Sequence, residues 1–338
     1  MSHFTEGHLQ IMNTLRNFGL FVALCSLLSG TLLNADAFDD DLSSYKVPVT
    51  AGENLAACCD KPSIDPNPTP PIEIGSCGGI WFPEDPVLFR PFVADPHAIN
   101  FSGGWRLNDQ AFVKNVIDVS LGNTMGIYRW LDVWGGQLQI EVEGAVWVCF
   151  DPLHNSSPLL NADYYGGIPI TYSVGPWAFR LRGYHISSHI GDEFILNHAE
   201  FDRRNPSAEY LDFYASYYPT DDIRLYGGIG TVVAQDKSYP FGRFYAETGL
   251  ELHLSQLGFI NDRQQLFGRP FFSMHFKFQT KQDKHINQTY VLGYEWGKLC
   301  GLQRLFRIFL EYHDGYSYEG QFSRSPTNYL SLRASYGF

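Results

Sequence analysis

The last twelve residues, TNYLSLRASYGF (327–338), put Leu330, Leu332, Ala334, Tyr336 and Phe338 on one side of an extended chain and Ser331, Arg333, Ser335 and Gly337 on the other. One face is apolar and the other wet. From about residue 98 onward the same period of two recurs. Ile99, Phe101, Trp105 and Leu107 oppose Asn100, Ser102 and Arg106, and Ile140, Val142, Val146 and Val148 oppose Gln139, Glu141 and Glu143. Phe244, Ala246, Leu250 and Leu252 oppose Tyr245, Glu247, Glu251 and His253, and Phe272, Met274, Phe276 and Phe278 oppose Ser273, His275, Lys277 and Gln279. Phe306, Ile308, Leu310 and Tyr312 alternate with Arg307, Phe309, Glu311 and His313. With weaker segments between these, the total is about 12 strands, an even number as a single-chain bacterial barrel requires.

Such strands need an apolar medium on one side and polar groups on the other. A soluble sandwich also alternates, but its polar face meets bulk water and is richer in Lys and Glu. This chain is 16% aromatic and only 18% charged, with 32 glycines, which suits strands whose outer face meets lipid between aromatic girdles. No apolar run after residue 40 approaches the roughly 20 residues of a spanning helix. The expected fold is all-β: an antiparallel transmembrane β-barrel over residues 86–338. Its narrow polar lumen is lined by Arg106, Glu141, Glu143, Glu247, Glu251, His275, Lys277, Arg307 and Glu311, in mixed signs that favour ion-paired closure over an open pore.

Ahead of the barrel, residues 17–33 (NFGLFVALCSLLSGTLL) follow Arg16 and precede Ala35-Asp36-Ala37, the pattern of a cleaved export signal over residues 1–37. Translation from Met12 instead of Met1 would leave a conventional basic start. Residues 38–85 carry Asp39-Asp40-Asp41 and PSIDPNPTPP (62–71), and prolines at that density remove ladder donors. They are expected to form a periplasmic leader without barrel strands. In an oxidising envelope Cys77 can pair with Cys58 or Cys59, and Cys149 and Cys300 read as small apolar residues; the odd cysteine leaves a thiol for a disulfide-linked envelope partner. A net charge of −12 with no Lys/Arg cluster excludes nucleic acid as a partner.

A chain that stops on the Phe of a period-two strand resembles bacterial outer-membrane barrels, in which the terminal aromatic is read by the barrel-assembly machinery; the resemblance implies an outer-membrane location and that partner for Phe338. The segment WFPEDPVLFRPFVADPHAINFSGGWR (81–106), with Phe82, Pro83, Pro86, Pro91, Ala94, Asp95 and Pro96, is followed by YHISSHIGDEF (184–194), RLYGG (224–228) and EYHDGYSYEGQF (311–322). Together these resemble a family of bacterial outer-membrane β-barrels catalogued as domain of unknown function 1207. The resemblance implies a barrel and no particular reaction.

One pattern points to chemistry. His185 and Ser187 are two apart on a strand, hence on one face with Cα atoms about 6.8 Å apart, within reach of base and nucleophile. Here the chain is similar to outer-membrane phospholipase A and the lipid A deacylase barrels, where such a pair faces lipid and the next strand supplies an orienting group. That likeness implies His185 as base, Ser187 as nucleophile, Glu200 as orienter with Glu209 behind it, and calcium as a conditional cofactor. Strict alternation from Phe179 and Leu181 carries His185 and Ser187 to lipid. A one-residue bulge at Gly183 would instead turn His185, Ser187, His189 and Glu193 into the lumen and release Ile186 and Ile190 to lipid, the cheaper arrangement in a bilayer and the expected one. His185 and His189 lie about 13 Å apart on a strand, too far to share an ion, so no metal site is expected.

The first expectation for function is an envelope barrel with a polar, constricted lumen, structural or binding or passing a small solute. A lipid hydrolase using His185 and Ser187 is the alternative, and a soluble periplasmic β protein the third.

Overall fold

The computed structural model describes residues 78–83, 87–261, 263, 265–282, 286–299 and 304–338. The signal segment, the leader up to Cys77, and Cys58, Cys59 and Cys300 lie outside the described residues.

The strands are β1 (Gly79–Trp81), β2 (Phe101–Leu107), β3 (Asn115–Val133), β4 (Gly136–Phe150), β5 (Leu159–Val174), β6 (Trp177–Ile190), β7 (Ser207–Thr220), β8 (Ile223–Gln235), β9 (Phe244–His253), β10 (Phe259–Ile260), β11 (Leu266–Gln279), β12 (Asn287–Lys298), β13 (Leu305–Tyr316) and β14 (Pro326–Gly337), with a short helix α1 (Asp192–Asn197) after β6. Sequential neighbours pair antiparallel, and β14 returns to β2 in a ladder running from Tyr336 opposite Phe101 to Leu330 opposite Leu107. The sheet is thereby a closed 12-stranded barrel, with β1 and β10 as short additions on β3 and β11. Closure leaves no long unpaired edge among the barrel strands.

At one end two-residue turns join β3 to β4, β5 to β6 and β7 to β8, while β9 reaches β11 through a longer connection that carries β10; the turn between β3 and β4 uses Trp134 (φ 52°) and Gly135 (φ 77°), the left-handed pair that matches strand twist in a two-residue hairpin. The other end carries the connections from β4 to β5, β6 to β7, β8 to β9 and β13 to β14, the longest of them holding α1.

The usual arrangement of polarity is inverted. Ile229 is 68% exposed on the outer face and Leu332 59%, whereas Glu295 and His275 inside are 0% exposed. In water each such exposed aliphatic would forgo about 1.5–3 kcal/mol of burial, so the outer surface calls for hydrocarbon. Trp81, Trp134 and Trp177 stand exposed near the tight-turn end, where a bilayer interface takes aromatic rings. Among the described residues no helix is long and apolar enough to cross a membrane.

Two departures from the sequence expectation reshape the interior. First, Gly79–Trp81, assigned to the leader, is a strand: free of the prolines on either side, it pairs with Trp130 to Tyr128 of β3. Second, residues 87–100, counted with the barrel from the sequence, form no barrel strand. β1 and β2 share the same edge of β3, and the chain between them turns into the lumen, burying Val87, Leu88, Phe89, Phe92, Ala94, Ala98 and Ile99. Ile99 therefore faces inward with Ala145, Trp147 and Tyr165 instead of joining the outer row of β2. Prolines suit a plug of this kind because each removes one N–H that would otherwise need a partner away from any ladder.

Candidate functional site

The lumen decides whether anything can pass. Arg106, Glu141, Glu143, Glu247, Glu251, His275, Arg307 and Glu311 all turn inward and are buried, and Lys277 joins them as an ion-pair partner of Glu247 at 2.9 Å. Sequence reasoning missed their partners. Glu295 accepts from Arg269 Nε at 2.7 Å and Arg307 Nε at 2.9 Å, and lies 2.8 Å from His253 Nδ1. Arg182 meets Asp212 at 2.6 Å and Arg224 meets Glu251 at 3.2 Å, while Arg333 bridges Asp118 and Glu311. Their positions were available from the alternation, but which opposite charges meet depends on the register between strands.

The plug uses this lining as its socket. Arg224 donates through Nη1 to the carbonyl of Pro91 (3.1 Å) and through Nη2 to that of Arg90 (2.8 Å), and the Val93 N–H donates to Glu251 Oε1 (2.9 Å). Arg180 lies over the Phe89 ring at 4.7 Å, and His97 stacks on Trp147 with centroids 4.3 Å apart. His97 Nε2 is buried without a hydrogen-bond partner among the described residues; burial pushes the imidazole down to about 4 despite the nearby Glu319 carboxylate.

From the opposite end the β13–β14 connection folds inward. Arg106 Nη2 pairs with Glu319 at 2.7 Å, and the Gly320 N–H donates to Asp163 at 3.1 Å. Burial alone would raise Glu319, but Arg106 and His97 hold it down to about 2. Phe322 joins Phe194 of α1, Ile190, Leu160 and Cys149 in an apolar lid. Between plug and lid remains a cavity of about 80 Å³, bordered by His97, Lys277, Tyr184, Tyr210, Ser317 and Gly320. Asp95, Glu247 and His275 bring three ligand atoms within 4.8 Å of one another, but Lys277 already neutralises Glu247 there.

The outer face of β6 corrects the expectation of a bulge. Its ladders with β5 and β7 run without a register shift through Gly183, so Leu181, Gly183, His185, Ser187 and His189 face out, while Arg182, Tyr184, Ile186, Ser188 and Ile190 face in. His189 therefore does not line the lumen, and Glu193, on α1, hydrogen-bonds Ser156 in the loops. The inward isoleucines do not meet water, so no bulge is needed to remove them: Ile190 packs in the lid and Ile186 against the Trp147–Tyr165 cluster. Meanwhile Arg182 and Ser188 keep Asp212 and Asn161 as partners.

On this outer face His185 lies opposite Glu209 of β7, with Nδ1 3.2 Å from Oε1. The register across β6 and β7 thus puts Glu209 beside His185, whereas Glu200 is exposed in the loop after α1. In the neutral ring an Nδ1–H directed at a carboxylate makes Nε2 the acceptor, and Ser187 shares the outer face with it. No hydrogen bond joins His185 to Ser187 among the described residues, and such contacts are commonly looser without substrate. Opposite His185 on β5 is Gly166, and two residues before it is Gly183; a Cβ at either would meet nothing within 4 Å, so the imidazole stands beside bare backbone.

A closed antiparallel barrel, apolar outside and ion-paired within, defines a transmembrane β-barrel. The chain belongs to the family described as protein of unknown function (DUF1207), which matches residues 61–338. Its fold is similar to that of an active-site mutant of outer membrane phospholipase A from Escherichia coli, with a TM-score of 0.50 at 13% identity, covering 73% of this chain and 92% of that one. LpxR from Salmonella typhimurium aligns with a TM-score of 0.36 at 11% identity over 71% of this chain and 100% of that one. The NanC porin gives 0.37 at 11% over 71% and 100%. No curated protein sequence matches the chain.

Proposed function

We propose that this chain is an outer-membrane lipid acyl hydrolase carried on a plugged barrel. The observation that supports this reading most is the outward placement of His185 and Ser187 with Glu209 hydrogen-bonded to His185. In the proposed step His185 Nε2 takes the Ser187 Oγ proton as Oγ attacks the ester carbonyl. The proton then passes to the departing alcohol, and water, activated by the same imidazole, releases the fatty acid and restores Ser187. Glu209 holds the ring and balances the imidazolium. The substrate and partner is membrane lipid, and Phe338 is the proposed contact for barrel-assembly machinery.

Calcium remains tied to the resemblance. Among the described residues three His/Cys/Asp/Glu ligand atoms converge only in the lumen, at Asp95, Glu247 and His275, and not beside His185 and Ser187. Chelation of the purified protein tests the dependence directly.

The deciding assay is release of fatty acid from phospholipid and lipid A vesicles by the refolded protein and by Ser187→Ala. Turnover by the parent that the variant loses supports the reading; equal rates for the two, or no release by the parent, removes it. A second reading, an envelope barrel that binds a small solute, draws on the polar cavity of about 80 Å³ between plug and lid. It predicts solute binding with no lipid turnover.

A further inference from the structure

The outer face of β6, β7, β8, β9 and β11 is hollowed into a concavity of about 950 Å³ that starts on the tight-turn side of His185 along β6 and reaches Thr280, Gln282 and Ile286 of the β11–β12 loop. Its walls are Leu181, Leu211, Phe213, Ile229, Phe244 and Phe278, each between 44% and 68% exposed. The hollow arises from the order of sizes along the ladder. In one row Thr231 lies between Leu211 and Phe244, and in the next Ala246 lies between Ile229 and Phe278. Two small residues form a floor, and large apolar neighbours rise on both sides.

We infer that this concavity seats the acyl chain of the lipid whose ester meets Ser187. The inference rests on the hydrolase reading and extends it to the substrate. Leu211 is paired with Gly183, and His185 with Glu209, so the near wall is one outward residue, about 6.8 Å, from the reacting pair. Gly183 places no side chain between His185 and Leu181. Along β6, Ser187 lies on the loop side of His185 and Leu181 on the turn side. A lipid with its ester at Ser187 therefore sends its chain past Gly183 and Leu211 into the hollow, which runs across the strands toward Phe278 and the β11–β12 loop.

The energetics determine what such a groove can do. A chain leaving the bilayer for the hollow was already out of water, so hydrophobic transfer contributes little, and shape-matched packing has to supply the preference. The groove then acts by holding the ester in register over Ser187, and its effect is selectivity for long chains instead of tight retention of any apolar molecule.

The test fills the floor. Thr231→Phe and Ala246→Phe together keep the face apolar and leave His185, Ser187 and Glu209 untouched, and heat-modifiable migration reports whether the barrel forms. Turnover of a sixteen-carbon phospholipid should fall on the order of tenfold, as misplacement of a reacting group produces, with butyrate ester turnover unchanged. Equal loss on both esters, or none on either, overturns the groove. A readout independent of turnover is fatty acid or phospholipid retained by Ser187→Ala in detergent, measured by mass spectrometry. Retention that the filled floor abolishes supports the groove even if the parent hydrolyses nothing, in which case the hydrolase reading alone fails. Equal retention with and without the filled floor overturns the groove while leaving hydrolysis standing.

Discussion

Phe92 lies flat on Tyr226, ring centroids 3.9 Å apart and planes 8° from parallel, which docks the segment between β1 and β2 against the far wall of the barrel. Tyr226 in turn shares a hydrogen bond with His275 Nδ1 at 3.0 Å. The plug is therefore held by an aromatic contact in the middle of a polar interior, with the Arg224 clamp on its backbone beside it.

That docking predicts a silent channel. The parent protein should show no steady conductance in planar bilayers, whereas Phe92→Ala combined with Arg224→Met, and with Phe322→Ala to loosen the lid, should conduct. The first change removes a large buried ring, a loss of about 3–5 kcal/mol, and the second frees two plug carbonyls. Open-channel current in the parent, or none in the triple variant, contradicts closure by plug and lid.

Glu295 should be the most sensitive charge in the lumen. It faces Arg269, Arg307 and His253 at 2.7, 2.9 and 2.8 Å. Glu295→Gln leaves two buried guanidinium groups underpaired, a loss of about 3–5 kcal/mol, visible as a lower temperature of heat-modifiable migration. Asp202→Asn, which breaks the exposed pair with Arg204, should change that temperature little.

If the hydrolase reading holds, Glu209→Gln should lower kcat by on the order of 10² with little change in KM, since it leaves the base in place but poorly held. Glu200→Gln should leave the rate unchanged. The reverse result in a fatty-acid release assay would return the orienting role to the loop.

Acid should loosen the two closures in stages. His97 in the fold lies at about 4, below its ordinary 6.5, and Glu319 at about 2, below its ordinary 4.5. Both are depressed, so each contribution is complete above the ordinary value and fades as pH falls toward the lowered one. The first loss runs from about 6.5 to about 4 and the second from about 4.5 to about 2. Barrel stability measured by heat-modifiable migration should be level above neutrality and fall across these windows. His97→Gln should remove the upper stage and narrow the lower one, because His97 no longer helps Arg106 hold Glu319 down.

The alternation from Phe101 to Phe338 was enough to require a barrel with an apolar exterior. Side-chain direction in a strand reverses at every residue, so one strand's pattern sets which of Arg307 and Ile308 faces inward without reference to any other strand. Facing at His185 followed the same count, and the bulge was expected because Ile186 and Ile190 were assigned a watery interior. Only the tertiary structure supplies the lid and plug that make that interior apolar at those points. The pairing of His185 with Glu209, of Glu295 with its cations, and the descent of residues 87–100 into the lumen all depend on register and on segments far apart in the chain. Local periodicity carries no information about those distances; closure of the sheet sets them.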